Sequence, residues 1–375
     1  MNIVILTESY FPVINGVSAS TRILASGLRE RGHSVTVIAP ANAGASEEEG
    51  VLRSPSVAFG PCSRYPLPAF WGRGFLRDAI SRLKPQVLHA QIPFLYGMAA
   101  RSLAARLGLP LVAAAHTLYP EYVHYIPLLP RRPGALAARK YMASFYNSCA
   151  AVATPSEMMR RELEGYGVTA RTEVIPTGIE LPGETRDMRP SLGIAADAQV
   201  LVYMSRVARE KNLDMLLDAF ALISLRFPKA VLLVVGGGPY LEHLRARAEN
   251  MGLGRRTIFT GMVDKSRVYD YLFCGDIFVF PSVTETQGLA VCEAQAAGLP
   301  VAAVRAGGVP EFLEEGGTAL LAENDSNDFA RITAALLEDP EARRRMSQRG
   351  RSLSAGFSTE AMIDRYEEFY SSVLK

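Results

Sequence analysis

The feature that most constrains this chain is a short, wholly apolar run that keeps returning. Ile3 to Leu6, Leu111 to Ala115, Leu201 to Met204 and Val231 to Val235 contain no charged residue. A strand with one wet face alternates apolar and polar side chains, so a run that is apolar throughout is covered on both faces. Strands of that kind belong to parallel sheets flanked by helices. The punctuation agrees. Asn2 to Leu6 reads as a strand, Ser18 to Arg31 as a helix stopped by Gly32, and Ser34 to Ala39 as the next strand, which makes one βαβ unit. Gln86 to His89, Leu111 to Ala115, Ala150 to Thr154 and Glu173 to Ile175 continue the first sheet, and residues 40–60 read as a surface loop with Glu47, Glu48 and Glu49 solvated.

The rhythm pauses at Pro176-Thr177-Gly178, runs through a polar stretch to about Pro190, and restarts at Leu201. A chain of 375 residues exceeds what one core usually holds. We therefore read a boundary near 180, two α/β halves, and helices from Met346 to the end, with Glu360 to Lys375 packing back across the domains. Proteins built this way usually bind ligands between their halves.

Composition excludes more than it identifies. Hydrophobic residues are 49% and charged residues 21%, ordinary values for a soluble globular chain. The net charge of +2 makes no demand for nucleic acid. The charge is uneven, however: residues 1–180 hold 18 Lys and Arg against 12 Asp and Glu. A basic first half suits an anionic surface or substrate. Cys62, Cys149, Cys274 and Cys292 are scattered without a C-x-x-C pair, which favours a reduced, cytoplasmic chain without a metal knuckle. No run approaches a membrane span and no leader is recognisable, so any membrane contact is expected to be peripheral.

Several positions carry chemistry. Glu285 and Glu293 stand eight apart in P-S-V-T-E-T-Q-G-L-A-V-C-E, after the apolar Val279-Phe280. This reads as strand, loop and helix, with Thr284 and Thr286 as cap-type residues and Gly298 and Pro300 as the stop. Eight helical positions span about 12 Å, too far for one shared proton but suited to gripping one long polyhydroxyl ligand at two points. The helix start at Gln287, Gly288 and Leu289 offers N–H groups to an anion or a sugar hydroxyl. Two solvated acids on a buried crossover would show the same spacing. Arg206 and Lys211, in S-R-V-A-R-E-K-N just past a strand, are placed to hold a diphosphate or to begin a solvated helix. Gly237, within Gly236-Gly237-Gly238-Pro239, can flank phosphate or ribose. The run is no dinucleotide fingerprint, because the third glycine would fall at Leu241. Met262 and Val263 end a strand where a base could stack, and Ala306 to Glu311 follows the last clear strand. Gly16 lies just before a helix, either a turn glycine or a place where backbone approaches an anion. His116 stands at the carboxyl end of a strand, with Tyr119, Glu121 and His124 beyond. Residues 64–77, with Tyr65, Phe70, Trp71 and Phe75 among arginines, and 131–148, with Arg131, Arg132, Arg139 and Lys140, suit a membrane interface or ordinary packing with snorkelling arginines.

In this order, the Gly16 loop, S-R-x-x-x-E-K-N, G-G-G-P and the paired glutamates resemble the family 4 retaining glycosyltransferases of the GT-B fold, over nearly the whole chain. The resemblance implies an α/β protein of two Rossmann-like parallel-sheet domains facing a central cleft. Residues 1–180 would bind acceptor, 181–355 the nucleotide-sugar, and 356–375 would return to the first domain. It implies that Glu293 binds the nucleotide ribose. Glu285 would lie beside the donor sugar, helped by Gln287, Gly288 and Leu289. Arg206 and Lys211 would clamp the diphosphate, with Gly16 and Gly237 near it, His116 next to the sugar, and Met262 or Val263 on the base. No D-x-D occurs, so neither metal nor other cofactor is expected. Glu285 to Leu289 and His116 to Ile126 are similar to the branch that transfers glucose or galactose to diacylglycerol, with Tyr119, Glu121 and His124 on the acceptor side. The expected protein is a cytoplasmic enzyme, peripheral on the inner face of the cell membrane, taking a UDP-sugar. A GDP-mannose-dependent mannosyltransferase acting on a lipid or glycan is the alternative. A dinucleotide oxidoreductase and a non-catalytic sugar-binding protein are the readings from other classes.

Overall fold

The computed structural model describes residues 1–374 apart from 14, 43, 58–65, 70–71 and 121–130, with backbone only at 72, 73 and 131. The chain divides into two units, Met1–Gly178 with Thr359–Lys375, and Ile179–Ser358.

In the first unit the strands are β1 (Asn2–Leu6), β2 (Ser34–Pro40), β3 (Val51–Ser54), β4 (Ser56–Val57), β5 (Leu67–Pro68), β6 (Val87–Ala90), β7 (Leu111–Ala114), β8 (Ala151–Thr154) and β9 (Thr172–Val174). All but β4 and β5 form one parallel sheet of order β3-β2-β1-β6-β7-β8-β9. The helices are α1 (Gly16–Glu30), α2 (Gly72–Leu83), α3 (Leu95–Leu107), α4 (Arg131–Tyr146) and α5 (Glu157–Gly165). The apolar strands are covered on both faces. Ile3 and Ile5 of β1 pack with Leu24 and Leu28 of α1, whereas Val4 and Leu6 pack with Leu76, Tyr96 and Met142 on the other side. Burial of each such side chain stabilises by about 1.5–3 kcal/mol.

The second unit carries β10 (Gln199–Met204), β11 (Ala230–Val235), β12 (Thr257–Gly261), β13 (Ile277–Phe280), β14 (Val301–Val304) and β15 (Ala319–Ala322), all parallel, in the order β12-β11-β10-β13-β14-β15. Around it lie α6 (Leu213–Arg226), α7 (Leu241–Asn250), α8 (Val268–Leu272), α9 (Leu289–Ala296), α10 (Ser326–Glu338) and α11 (Pro340–Ser354). The last helix, α12 (Thr359–Val373), belongs to the first unit. It buries Met362, Ile363, Tyr366, Phe369 and Tyr370 on the α1 face, and Tyr370 Oη meets Nδ1 of the buried His89 at 2.6 Å.

The α/β class with two parallel sheets is as read from the sequence, and several local expectations are corrected. Residues 40–60 are not simply loop, because 51–54 form β3 on the sheet edge beside β2. Glu48 is not merely solvated, since it accepts a hydrogen bond from Tyr10 Oη at 3.0 Å. The α1 helix starts at Gly16 rather than Ser18, because Asn15 and Ser18 close a capping box ahead of it. The strand before Ala306 is not the last, since β15 follows, and the terminal helices begin at Pro340.

Candidate functional site

In each sheet the chain leaves one strand for opposite edges, and such a switch point opens a crevice at the carboxyl ends of the strands. In the second unit this point falls between β10 and β13. The residues that follow those strands are Ser205 to Asn212 and Pro281 to Gly288, the two segments singled out in the sequence. Asn212 fastens one to the other. It adopts a left-handed conformation, φ 60°, and its Nδ2 donates to Pro281 O at 3.1 Å and to Asn324 Oδ1 at 2.8 Å.

This fastening brings Lys211 onto Glu285. Lys211 Nζ lies 2.6 Å from Glu285 Oε1, with side chains only 14% and 16% exposed. The main chain of Glu285 is held separately. Its carbonyl accepts from Gly308 N at 2.8 Å, and a Cβ at Gly307, φ 58°, would come within 2.4 Å of that oxygen. The loop after β14 therefore sets the position of Glu285. Arg206 is exposed and pairs with Glu210, four residues on. Beneath it, Tyr203 Oη donates to Arg206 O at 3.3 Å.

The glycine run after β11 locks onto the same segment. Val207 N donates to Gly237 O at 2.9 Å, and a Cβ on Gly238 would meet Val207 O at 2.2 Å. A Cβ on Gly237 would lie 2.7 Å from Met262 Cγ. Glycine thus lets the exposed Met262 lie across this loop, while Val263 packs against the core.

The Thr284 and Thr286 cap assignment is corrected. The α9 N-cap is Gly288, in the left-handed region at φ 87° with no side-chain cap, and Gln287 before it is buried. The first turn at Leu289 still presents N–H groups by geometry. Glu285 thus sits in the loop, and Glu293 is the fifth residue of the helix. The helix supplies about 6 Å of rise between them, not the full 12 Å. Burial pushes the Glu293 carboxyl up to about 7; the charge of Lys265 opposes the rise and that of Glu180 adds to it. Tyr269, which feels the charge of Glu293, donates its hydroxyl to Glu180 O at 2.5 Å.

In the first unit His116 follows β7, and its Nε2 lies 3.1 Å from Oε1 of the buried Gln91. Burial lowers its pKa to about 4, so the ring is neutral at pH 7. Tyr119 is half-buried, edge-on to Phe94 at 4.8 Å between ring centroids. Glu121 and His124 lie outside the described residues, as do Cys62, Tyr65, Phe70 and Trp71. Gly16 starts α1 with nothing within 4 Å of where a Cβ would stand, so packing does not demand a glycine there. Phe75 packs on the core rather than facing out. On α4, Met142, Phe145 and Tyr146 are buried, whereas Arg132, Leu136, Arg139 and Lys140 are exposed. Among the described residues no helix is long and apolar enough to cross a membrane.

One residue escaped the sequence reading. Glu8 lies two residues past β1, at the carboxyl end of a strand, which is the signal that selected His116.

Residues 14–181 match the family described as Glycosyltransferase Family 4, and residues 184–353 the one described as Glycosyl transferases group 1. An alpha-monoglucosyldiacylglycerol synthase of Streptococcus pneumoniae is 34% identical over 318 residues, 81% of this chain and 71% of that protein. The enzyme of the same name from Acholeplasma laidlawii is 26% identical across 100% of this chain and 98% of its own length. A GDP-mannose-dependent alpha-mannosyltransferase of Corynebacterium glutamicum is 27% identical over 90% of this chain and 80% of its own. Among solved structures, Anabaena HepE in complex with UDP superposes with a TM-score of 0.81 at 19% identity, covering 99% of this chain and 100% of that one, a likeness of fold.

Proposed function

Because the chain belongs to the family 4 glycosyltransferases, with the parallel-sheet units of the GT-B class, we propose that it moves glucose or galactose from a UDP-sugar to a membrane lipid such as diacylglycerol, with retention at the anomeric carbon. The observation that carries the donor side is the Lys211–Glu285 pair at 2.6 Å, at the switch point of the second sheet. In a nucleotide-sugar the anomeric carbon is bonded to the terminal phosphate. A cation for that phosphate and an acid for the sugar hydroxyls must therefore be neighbours, as these two are.

The remaining roles follow from charge and reach. Arg206, exposed and four residues from its counter-ion Glu210, turns to the diphosphate together with Lys211. Negative charge grows on the phosphate oxygens as the sugar departs, and fixed cations and the α9 start stabilise it. We assign this work to protein groups, without a metal. Glu293 accepts from the ribose hydroxyls, Gln287, Gly288 and Leu289 border the sugar, and Gly237, Met262 and Val263 border the nucleoside. On the acceptor unit, His116, neutral, offers a hydrogen bond without adding charge, Gly16 leaves room for the phosphates, and Tyr119, Glu121 and His124 serve the acceptor. Retention means that the acceptor hydroxyl attacks from the face the diphosphate leaves.

What supports the lipid acceptor is the pair of diacylglycerol-glucosylating relatives. The exposed Arg132, Leu136, Arg139 and Lys140 on α4, in the basic part of the chain, suit docking on the anionic inner face of the cell membrane. The mannosyltransferase relative favours GDP-mannose as the second reading. Thermal shift with UDP and with GDP separates them, since saturation at about 100 times Kd stabilises by about 2.7 kcal/mol. A rise in Tm with UDP and none with GDP is expected, and the reverse overturns the donor assignment.

A further inference from the structure

Glu8 plays no part in the reading above, yet it occupies the switch point of the first sheet. β1 and β6 are neighbours from which the chain proceeds to opposite edges, and Glu8 stands two residues past β1. Its Oε1 accepts from Tyr96 N at 2.8 Å, with the Leu95 backbone against the same carboxyl. The half-buried carboxyl thus covers the start of α3, whose own N-cap, Phe94, provides no side-chain cap. Tyr96, Tyr119 and Tyr141 all feel its charge, from α3, from the segment after β7 and from α4. Each directs its hydroxyl elsewhere: Tyr96 to Ser54, Tyr141 to Pro93 O at 2.5 Å, and Tyr119 to Thr117. Two cations enter this group, Arg53 through Tyr96 and Arg101 through Tyr141.

A cap alone does not require this residue. An uncharged amide would also accept from Tyr96 N–H, more weakly but without the desolvation that pushes the Glu8 carboxyl up to about 7. A carboxylate can accept about four hydrogen bonds, so capacity remains for a ligand donor. At the helix start that it covers, Phe94, Leu95 and Met98 are 38%, 47% and 51% exposed, an apolar surface from the N-cap into the first turn of α3. An acid next to exposed apolar side chains suits a molecule with a hydroxyl at one end and hydrocarbon at the other.

We propose that this place binds a membrane-lipid alcohol: Glu8 accepts the hydrogen bond of its free hydroxyl, and Phe94, Leu95 and Met98 take the adjoining hydrocarbon. The inference rests on the glycosyl-transfer reading and deepens it by naming the residue that holds the acceptor.

The test uses the full chain, UDP-glucose, and dioleoylglycerol in phosphatidylglycerol-containing vesicles, with Glu8→Gln, which keeps an oxygen for Tyr96 N–H. Transfer to dioleoylglycerol is expected to fall at least about tenfold, the loss of one charge-assisted hydrogen bond. UDP binding should stay within about twofold of the parent, and Tm should not fall, because the raised carboxyl opposes stability. The double variant Leu95→Ser, Met98→Ser should raise KM for dioleoylglycerol more than for the short-chain dibutyrylglycerol, with kcat kept. Full transfer by Glu8→Gln overturns the inference. So does an equal loss of UDP binding and Tm, which would assign Glu8 to packing of α3, and so does a KM change that ignores chain length. If the parent chain transfers hexose to no diacylglycerol although it binds UDP, the acceptor reading fails and the inference with it. If the parent transfers and Glu8→Gln does too, the inference alone fails.

Discussion

The raised Glu293 carboxyl makes donor binding depend on pH in a calculable way. Ribose hydroxyls donate, so they need the ionised carboxylate as acceptor. With the free protein titrating at about 7, donor binding should weaken on acidification. If only the ionised form binds, the apparent Kd is multiplied by about 11 at pH 6 and about 1.1 at pH 8, a difference of about 1.4 kcal/mol. Titration calorimetry with UDP-glucose is the suitable assay. The terminal phosphate of UDP titrates near pH 6 and would blur the slope, whereas the phosphates of UDP-glucose carry no such group. Binding at pH 6.5 should also release protons, seen as a dependence of the heat on buffer ionisation. In Glu293→Gln affinity should be lower at pH 8 and flat between pH 6 and 8. A flat wild-type profile, or a slope that survives in Glu293→Gln, refutes the ribose assignment.

The same carboxyl opposes stability. Its folded-state value lies above the ordinary 4.5, so the fold holds this proton more tightly than the unfolded chain, and stability declines as pH rises from about 4.5 to about 7. Glu293→Gln should therefore be about 1–3 kcal/mol more stable than the wild type at pH 8, by urea melts, and equal to it below pH 4.5; an equal or lower midpoint at pH 8 contradicts this. Arg206→Ala should lower kcat by roughly 10²–10³ while changing stability by less than about 1 kcal/mol, because its ion pair is exposed. A rate within threefold of wild type removes Arg206 from the diphosphate clamp.

The parts of the fold that the sequence discloses are those with buried, repetitive causes. The β1, β7, β10 and β11 runs are apolar at every position because both faces are covered, and that leaves a plain mark. The edge strand β3 leaves none: Val51-Leu52-Arg53-Ser54 has one strand neighbour and a mixed composition. β15 is four residues of alanine and leucine, equally suited to a helix. At the start of α9, Thr284 and Thr286 look like caps in the sequence, whereas the conformation there is set by Gly288 in the left-handed region. Lys211 and Glu285 were each visible as candidates, but not as a pair. They are 74 residues apart, and only the adjacency of β10 and β13 brings them together. Glu8 leaves no mark in the sequence, because a single acid after a strand has the composition of any loop; its significance comes from α3 starting against it.

The central claim is a hexose passing from a nucleoside diphosphate to a lipid hydroxyl. Incubating the full chain with UDP-glucose, UDP-galactose or GDP-mannose and diacylglycerol vesicles, without added metal, and analysing products by mass spectrometry and proton NMR tests it most directly. The account predicts one hexosyl-diacylglycerol per UDP released, with the α-anomeric signal. A β-anomer, product only from GDP-mannose, or no product with any of these donors despite nucleotide binding, would contradict it.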